Sequence, residues 1–409
     1  MSNTCLEWAD DNQTLVFRRL KKPEVLELIE RTQLLHGALC NKVTFDLSGI
    51  DTAFSAQALP LVIVAHALRQ RGVQVDLILP GEYGLRTLFT NTNWAHLIAP
   101  HQFDESTFDG HHMHATTYSS SPVQQEIVNG VMDLLLEEGH IDRPILGALE
   151  WALNEVTDNV LVHSGSHGIV QVTRYQNEAH IVVCDAGRGI GASMRDAFPA
   201  LTDDVTATQR AILPGVTSGP GQGNGLAGIN SIARLAQGEI SLISGRAFAM
   251  LSYGSGRSRA TWAPVAGSVA FPGTAVVLQL PLNVHLDLRE ALRFQSPDWE
   301  PWDFIDARYE PEDGELTLRL AEERRGVGSR EAGHAIRTKT ENLLDMSPTA
   351  RLTIDFSGVR MIASSFADEF MGKLRLALGV ATFDERIRLI GLDPSIEAVV
   401  RGAISQRMR

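Results

Sequence analysis

The chain has 409 residues, of which 44% are apolar and 21% are charged, a composition typical of folded domains rather than of disordered chains. At about 150 residues per domain, this length predicts two or three domains. The formal net charge of −13 opposes nonspecific binding to nucleic acid or to anionic lipid surfaces. The longest nearly uncharged apolar run, 58–68, is far shorter than the about 20 residues of a membrane-spanning helix. With only 3 cysteines and no signal-peptide pattern, the sequence predicts a cytoplasmic protein.

The first block of the chain, 1–100, has the order strand, helix, strand. Apolar runs at 43–47 and 73–79 predict two strands, and the pattern at 56–70 predicts a helix between them. This short succession indicates an α/β domain.

A segment without periodicity, 101–122, follows this block and is rich in Ser, Thr and His, so we interpret it as a linker. It contains His111, His112 and His114, a residue type that binds metals. Because the segment around them has no periodicity and a biased composition, we interpret them as exposed linker histidines.

The central block, 123–283, opens with two helical patterns and ends with a predicted strand at 275–280. Within it, the glycine-rich stretch 245–273 is compatible with a hairpin, a partner-binding loop or part of a ligand site, and the sequence leaves these three open. The C-terminal block, 284–409, again has an α/β pattern. Its predicted elements are strands at 316–320, 352–356 and 387–390 and helices at 329–344 and 365–378.

An internal repeat links the outer blocks. Phe45–Ile50 (FDLSGI) and Ile354–Val359 (IDFSGV) match in pattern, and Ser55 and Ser364 follow at corresponding positions. Two unrelated strand-to-turn junctions would give a similar match, but its length favours a shared fold for the two blocks.

One helix of the central block, predicted at 146–163, carries polar residues beside its apolar stripe. Glu155, Asn159 and His163 are each four residues apart and therefore fall on one face of the helix. A carboxylate and an amide on this face can point into one cleft, although a solvated polar face has the same spacing.

The segment Asp185-Ala-Gly-Arg-Gly comes directly after the predicted strand 180–184. An ionised Asp185 is purely a hydrogen-bond acceptor and therefore suits an adenine amino group. Gly187 and Gly189 would let the backbone approach a flat ring closely. A simple turn would also explain this segment.

A glycine-rich loop, Gly219–Leu226 (GPGQGNGL), precedes a helical pattern at 227–236. Backbone amides at the start of a helix bind phosphate oxygens, although a mobile linker loop has the same composition. The loop lacks the Gly-Lys-Ser/Thr of a P-loop and does not follow a strand as a Rossmann turn does. The fourth segment is Gly273-Thr274 before the strand 275–280, where the threonine hydroxyl could assist Asp185.

Together, these four segments occur in an order that resembles the GHKL ATPase superfamily, which includes DNA gyrase, heat-shock chaperone, histidine kinase and mismatch-repair ATPases. The resemblance covers 123–283, and the amino-acid sequence of the helix around Glu155 is most similar to that of the anti-sigma-factor serine kinases. It implies an α/β fold class: a central GHKL (Bergerat) α/β sandwich between two further α/β domains.

The resemblance also implies roles for individual residues, with ATP and Mg²⁺ as cofactors. Glu155 would be the general base and Asn159 a Mg²⁺ ligand, while His163 would either contact phosphate or cap its helix. Asp185 and Thr274 would bind adenine, and the backbone at Gly187 and Gly189 would run close beside the adenine ring. Phosphates would be bound under a lid formed by 191–220, and the residues expected to bind them are Gly221, Gly223, Gly225 and Leu226.

The outer blocks resemble STAS domains, the fold of the anti-sigma-factor antagonists. By this resemblance Ser365 is a candidate phospho-acceptor, although Ala363 and Phe366 depart from the family pattern. Capping of the following helix by Ser364 or Ser365 is the alternative interpretation. In the N-terminal copy the acceptor position is Ala56, adjacent to Ser55, so modification of that copy is not expected.

The function that we expect from the sequence is that of a bacterial partner-switching serine/threonine kinase that uses ATP and Mg²⁺. Its partners would be other regulatory proteins that bind through the STAS-like domains, with no role for nucleic acid or membrane. An ATP-hydrolysing conformational switch that pairs two chains into a homodimer is one alternative. A nucleotide-binding scaffold without a phospho-acceptor is another.

Overall fold

The computed structural model describes residues 6–9, 11, 13–20, 41–107, 113–218, 223–254, 257–265, 270–293, 303–310 and 315–407. The chain divides into two compact units, one of residues 1–128 with 152–299 and the other of residues 129–151 with 300–409. Among the described residues, no helix combines the length and the apolar character that a bilayer crossing requires.

The first unit begins with a four-stranded sheet in the order β1-β2-β3-β4. Strands β2, β3 and β4 are parallel, and β1 is antiparallel to β2. The strand-helix-strand pattern predicted for this region is confirmed. The elements are β1 (Leu6–Trp8), β2 (Thr14–Phe17), β3 (Lys42–Asp46), α1 (Ser55–Gln70), β4 (Gln74–Ile78), α2 (Tyr83–Asn91) and α3 (Trp94–Ile98).

A seven-stranded, entirely antiparallel sheet forms the rest of this unit, in the order β10-β9-β8-β11-β7-β6-β5. Its strands are β5 (Thr116–Tyr118), β6 (Gly168–Tyr175), β7 (Glu178–Asp185), β8 (Glu239–Gly245), β9 (Ala247–Gly254), β10 (Arg257–Pro264) and β11 (Phe271–Pro281). The helices along this part of the chain are α4 (Ser121–Glu137), α5 (Arg143–Asn159), α6 (Gly189–Ala197), α7 (Asp204–Ala211), α8 (Gly225–Leu235) and α9 (Leu288–Ala291).

Two segments without a clear sequence pattern contribute strands to this sheet. The segment interpreted as a linker, 101–122, contains β5, whose three residues are too few to show a period of two. The stretch 245–273, for which three interpretations were open, contains the β9–β10 hairpin. His114 is among the described residues, whereas His111 and His112 lie outside them.

The N-terminal block and the seven-stranded sheet share one hydrophobic core. Helix α1 packs against β7 and β11 as well as against its own sheet. Leu61 and Ile63 of α1 belong to the same cluster of buried side chains as Val182 and Ala275 of the large sheet. Nearly all of α1 is buried, so it has no solvent-exposed face of the kind that an amphipathic surface helix shows.

A buried hydrogen bond crosses this shared core, and we expect its loss to destabilise the first unit. Trp94 of α3 donates from Nε1 to Oε1 of Gln171 on β6 at 2.7 Å. Trp94→Phe keeps most of the apolar contact but leaves the buried Gln171 oxygen without this donor, which costs about 1–3 kcal/mol. Urea denaturation followed by tryptophan-independent circular dichroism measures the change. Adding Gln171→Leu should recover part of the loss, and equal stability of Trp94→Phe and wild type would contradict the expectation.

The second unit contains a three-stranded parallel sheet in the order β12-β13-β14. The helix predicted at 365–378 is divided by a π-turn, Asp368–Gly372, into two short α-helices, Ser364–Ala367 and Lys373–Leu378. The elements are α10 (Phe304–Tyr309), β12 (Leu316–Arg319), α11 (Arg330–Met346), β13 (Leu352–Asp355), α12 (Ser364–Ala367), α13 (Lys373–Leu378), α14 (Val380–Arg386), β14 (Ile387–Ile390) and α15 (Pro394–Gln406).

A cluster of buried charges lies in the second unit. Lys339 of α11 is 1% exposed, and its Nζ lies 2.8 Å from Oε2 of Glu323 and 2.9 Å from Oδ1 of Asp133. Glu137 adds a third carboxylate, 3.9 Å from the same Nζ, and is itself paired with Arg325 at 2.7 Å. Within this unit, charged side chains from distant parts of the sequence therefore compensate one another.

Candidate functional site

A cavity of ≈ 450 Å³ lies in the first unit, between the end of α5 and the ends of β7 and β11. Helix α6 and the start of α8 complete its walls. The cavity brings together nine of the residues singled out in the sequence. They are Glu155, Asn159, His163, Asp185, Gly189, Gly223, Gly225, Leu226 and Thr274.

Glu155 and Asn159 lie one turn apart on α5 and face the cavity, as their spacing predicted. Burial raises the pKa of Glu155, and the nearby charge of Asp158 raises it further. The side-chain amide of Asn159 has a buried nitrogen without a hydrogen-bond partner among the described residues. A Cβ added at Gly225 would lie 2.5 Å from Oε2 of Glu155. A larger residue at this position would therefore displace the carboxylate of Glu155 from its place beside the start of α8.

His163 reaches the cavity by a different route from the one that its spacing suggested. Residues Val160–Ser164 form a π-turn, which changes the i, i+4 relation between Asn159 and His163. The backbone oxygen of Ser164 accepts a hydrogen bond from the Arg188 amide at 3.0 Å. Burial lowers the pKa of His163, so its imidazole is neutral at pH 7.

Asp185 ends strand β7 and is 4% exposed. Its Oδ1 accepts a hydrogen bond from the Gly187 amide at 2.8 Å. Burial raises the pKa of Asp185 to about 6, against the opposing effect of hydrogen bonds from Gly187 and Thr274. A buried carboxylate that is ionised at pH 7 is a strong acceptor for a ligand amino group.

Gly273 and Thr274 lie inside β11, whereas the sequence placed them before the strand. The register of β11 against β8 shifts between Phe271 and Thr274, and this bulge hides the strand start from sequence inspection. Gly273 has φ +125°, and a Cβ there would lie 2.0 Å from the backbone oxygen of Asp185. Thr274 pairs directly with Asp185 across the sheet.

The other glycines of the site differ in what they contact. Gly189 has φ +74° and lines the cavity. Gly187 instead faces the π-turn, because a Cβ there would lie 2.2 Å from the backbone oxygen of Ser164. Gly223 has φ +70°, and a Cβ there would lie 2.5 Å from the carbonyl carbon of Val216. Gly221 lies outside the described residues.

Part of the segment expected to form a lid, 191–220, is folded as helices α6 and α7. Asp204, at the start of α7, joins them to the sheet: Oδ1 accepts from Nη1 of Arg195 at 2.6 Å, and Oδ2 from the Arg246 amide at 2.7 Å. Met194 of α6 and Ala211 of α7 line the cavity and belong to one small hydrophobic cluster. These wall residues carry no local sequence motif, which is why sequence analysis missed them.

The serines of the two outer blocks differ in exposure. In the second unit, Ser364 is exposed and Ser365 is half-buried. The N-cap of α12 is Ala363, with no side-chain capping bond, so neither serine caps the helix. In the first unit Ser55 is 0% exposed. Among the described residues no cluster of three or more His, Cys, Asp or Glu side chains forms a metal site.

Comparison with known proteins identifies two domain families. Residues 147–284 match the family described as "Histidine kinase-, DNA gyrase B-, and HSP90-like ATPase". Residues 332–397 match the family described as "STAS-like domain of unknown function (DUF4325)". No curated protein matches the chain.

Among solved structures, the topoisomerase IV ATP-binding domain of Francisella tularensis, in complex with a small-molecule inhibitor, is similar at 14% sequence identity with a TM-score of 0.23. The match covers 44% of this chain and 46% of that chain, so this chain spans less than half of that structure's length. The two family matches are the stronger finding: residues 147–284 form a GHKL-type ATPase domain, of a family whose members bind ATP, and residues 332–397 form a STAS-like domain.

Proposed function

We propose that the protein binds ATP in the cavity of the first unit and transfers its γ-phosphoryl group to a serine or threonine hydroxyl as part of a cytoplasmic partner switch. One observation carries this proposal: a buried carboxylate, Asp185, and an active-site pair, Glu155 and Asn159, face one cavity of ≈ 450 Å³. The carboxylate suits the amino group of adenine, and the pair suits the phosphate end of the nucleotide. A pocket of this size is within the range of small-molecule sites.

The residues present fit a Mg²⁺ ion at Asn159. Its buried amide has a nitrogen without a partner among the described residues, so the group is available to present its oxygen to a ligand. Mg²⁺ prefers oxygen ligands and takes only one or two from the protein, the others from phosphates and water. When bound, the ion would neutralise charge on the triphosphate.

Glu155 is suited to be the general base. Its raised pKa makes the carboxylate a better proton acceptor, and it lies one helical turn from Asn159. In the proposed step a hydroxyl oxygen attacks the γ-phosphorus, Glu155 accepts the hydroxyl proton, and the bond between the γ-phosphorus and the β,γ-bridging oxygen breaks to release ADP. With water in place of the hydroxyl, the same step is ATP hydrolysis.

We propose Ser365 as the acceptor in this chain, with other regulatory proteins as partners through the STAS-like domain. Ser365 is half-buried and is not used as a helix cap, so its hydroxyl is not committed to α12. The N-terminal block, which we propose to be a second STAS-like domain, offers no equivalent acceptor because Ser55 is buried and Ala56 follows it.

Incubation with ATP labelled in the γ-phosphoryl group tests the proposal. We expect label on the protein and, with Glu155→Gln, at least about a 100-fold loss of transfer because the base is gone. The affinity for ATP should change little, since the proposed role of Glu155 is to accept the hydroxyl proton and not to bind the nucleotide. Glu178→Gln, an exposed glutamate of β7, is the control and should transfer at the wild-type rate.

The fate of the label separates the alternatives. Label on the wild type but not on Ser365→Ala supports the proposed acceptor, with Ser364→Ala as its neighbouring control. Label found only as free phosphate would contradict the kinase and leave an ATPase. In that case the size of the protein, measured with and without a non-hydrolysable ATP analogue, tests whether nucleotide pairs two chains. Binding without turnover would leave a nucleotide-binding scaffold.

A further inference from the structure

Ser244 is a fully buried serine behind the Asp185–Thr274 pair. It lies on β8 directly opposite Thr274 of β11 and is 0% exposed. Its Oγ accepts a hydrogen bond from the Ile190 amide at 2.7 Å. The same oxygen lies 3.0 Å from Oγ1 of Thr274 and 3.2 Å from the backbone oxygen of Gly273. The Ser244 hydroxyl therefore has one donor and two acceptors within reach.

Counting protons shows how these groups are arranged when Asp185 is ionised. Thr274 donates to the carboxylate of Asp185, so the Thr274 oxygen is left to accept from Ser244. The Ser244 oxygen in turn accepts from the Ile190 amide. Every hydrogen in this series of hydrogen bonds then points toward the carboxylate, an arrangement in which successive hydrogen bonds strengthen one another.

The arrangement has a second state when Asp185 is protonated. Its O–H can then donate to Thr274, Thr274 to Ser244, and Ser244 to the backbone oxygen of Gly273. No heavy atom needs to move, because the Gly273 oxygen is already within hydrogen-bond distance of Ser244. Ser244 is thus the residue at which the direction of the hydrogen bonds can reverse.

We infer that Ser244 is a positioning residue for base recognition: through Thr274 it directs hydrogen bonds toward Asp185 and so keeps that carboxylate an acceptor for the base. The inference rests on the proposed nucleotide site and deepens it. Ser244 does not line the cavity, so it acts on the base only through Thr274 and Asp185. No motif marks it, since its neighbour in the site is 30 residues away along the chain.

Other titratable groups face Asp185, and their charges are accounted for. Burial raises the pKa of Tyr118 on β5 and of Cys184 on β7, so both are neutral at and below pH 8. Glu155 and Asp158 of α5 and His163 of the π-turn line the same cavity. Because two further carboxyl groups and an imidazole line the cavity, the test must observe Asp185 itself.

The test follows the ¹³C signals of aspartate carboxyl groups during a pH titration of the nucleotide-free protein. The Asp185 signal is the one missing from Asp185→Asn. We expect Ser244→Ala to raise the titration midpoint of Asp185 and to weaken ATP binding at pH 7 about 3- to 10-fold, the effect of losing one such hydrogen bond. Ser244→Thr keeps the hydroxyl and should restore both values toward wild type.

Ser241→Ala is the matched control, because Ser241 is a buried serine of the same strand and does not belong to this series of hydrogen bonds. Should Ser244→Ala not fold, Ser244→Cys replaces the hydroxyl with a weaker donor of similar size and should shift the midpoint in the same direction. An Asp185 midpoint that is equal in wild type and in the folded Ser244 variant would overturn the inference. Failure of the wild type to bind ATP would instead contradict the proposed function, and the titration would still decide the role of Ser244.

Discussion

Replacing Asp185 with Asn should weaken ATP binding at least about 1,000-fold and at the same time make the free protein more stable at pH 8. The loss of affinity has two causes. The charge-assisted hydrogen bond to the base amino group disappears, and the new side-chain amide directs a donor toward another donor. These two effects amount to about 4 kcal/mol, or about three orders of magnitude in affinity.

The gain in stability follows from the raised pKa of Asp185. Burial raises this pKa from 3.8 to about 6 in the folded protein, which therefore binds the proton more tightly than the unfolded chain does. The associated stabilisation is complete below pH 3.8 and is lost as the pH rises through 6. At pH 8 the ionised carboxylate thus costs the folded state up to about 3 kcal/mol, which a neutral amide removes.

Isothermal titration calorimetry with ATP and urea denaturation at pH 4 and pH 8 measure the two effects separately. The stability difference between variant and wild type should be large at pH 8 and small at pH 4. Asp46→Asn is a suitable control. Asp46 also ends a strand of the first unit, and its carboxylate accepts a hydrogen bond at 2.9 Å from the amide two residues later. It belongs to the four-stranded sheet and does not line the cavity. Wild-type ATP affinity in Asp185→Asn would contradict the role given to this carboxylate.

The site could be predicted to the extent that its residues follow local rules. Glu155 and Asn159 share a helix face, and Asp185 ends a run of apolar residues, so a period of 3.6 and a strand end were enough to single out three residues that line one cavity. Ser244 contacts a residue of a neighbouring strand, and Asp204 contacts a neighbouring helix and the amide of Arg246, so both depend on which elements lie side by side. Because β8 pairs with β11 from a distance of about 30 residues, no sequence pattern reports that pairing.

The π-turn at Val160–Ser164 shows a second limit of prediction. Its residues continue the helical pattern of α5, so the sequence predicts one helix through His163. The turn ends at Ser164, whose backbone oxygen accepts a hydrogen bond from the Arg188 amide. Gly187 permits this close approach because a Cβ there would collide with the same oxygen. Tertiary contacts thus decide the local geometry, and only the structure reveals them.

The fold was predicted best where each element is long and periodic. Helix α1 was expected at 56–70 and is found at Ser55–Gln70, whereas the three-residue β5 was not expected at all. That α1 would cover the large sheet could not be foreseen, although its apolar run at 58–65 is typical of a helix buried on several sides.

The second large effect that we expect is a loss of stability of the second unit when Lys339 is replaced with Met. The ammonium group is 1% exposed and is within 3 Å of two carboxylates, those of Glu323 and Asp133. These charges raise the pKa of Lys339 well above its usual value, even though burial acts in the opposite direction. The stabilisation from Lys339 is therefore complete at pH 7 and is lost only as the pH rises through that raised pKa.

Methionine fills similar space but leaves Glu323 buried without its cation, and an uncompensated buried charge costs about 3–5 kcal/mol. Hydrogen exchange of residues 315–407 at pH 7 locates the loss, because the two units need not unfold together. Lys373→Met is the comparison: Lys373 is 36% exposed, pairs with Glu369 at 2.7 Å, and should cost less than about 1 kcal/mol. Adding Glu323→Gln to Lys339→Met should recover much of the loss, because the charge left behind, rather than the missing contact, carries most of the cost. Equal protection in Lys339→Met and Lys373→Met would show that the buried charges do not hold this unit together.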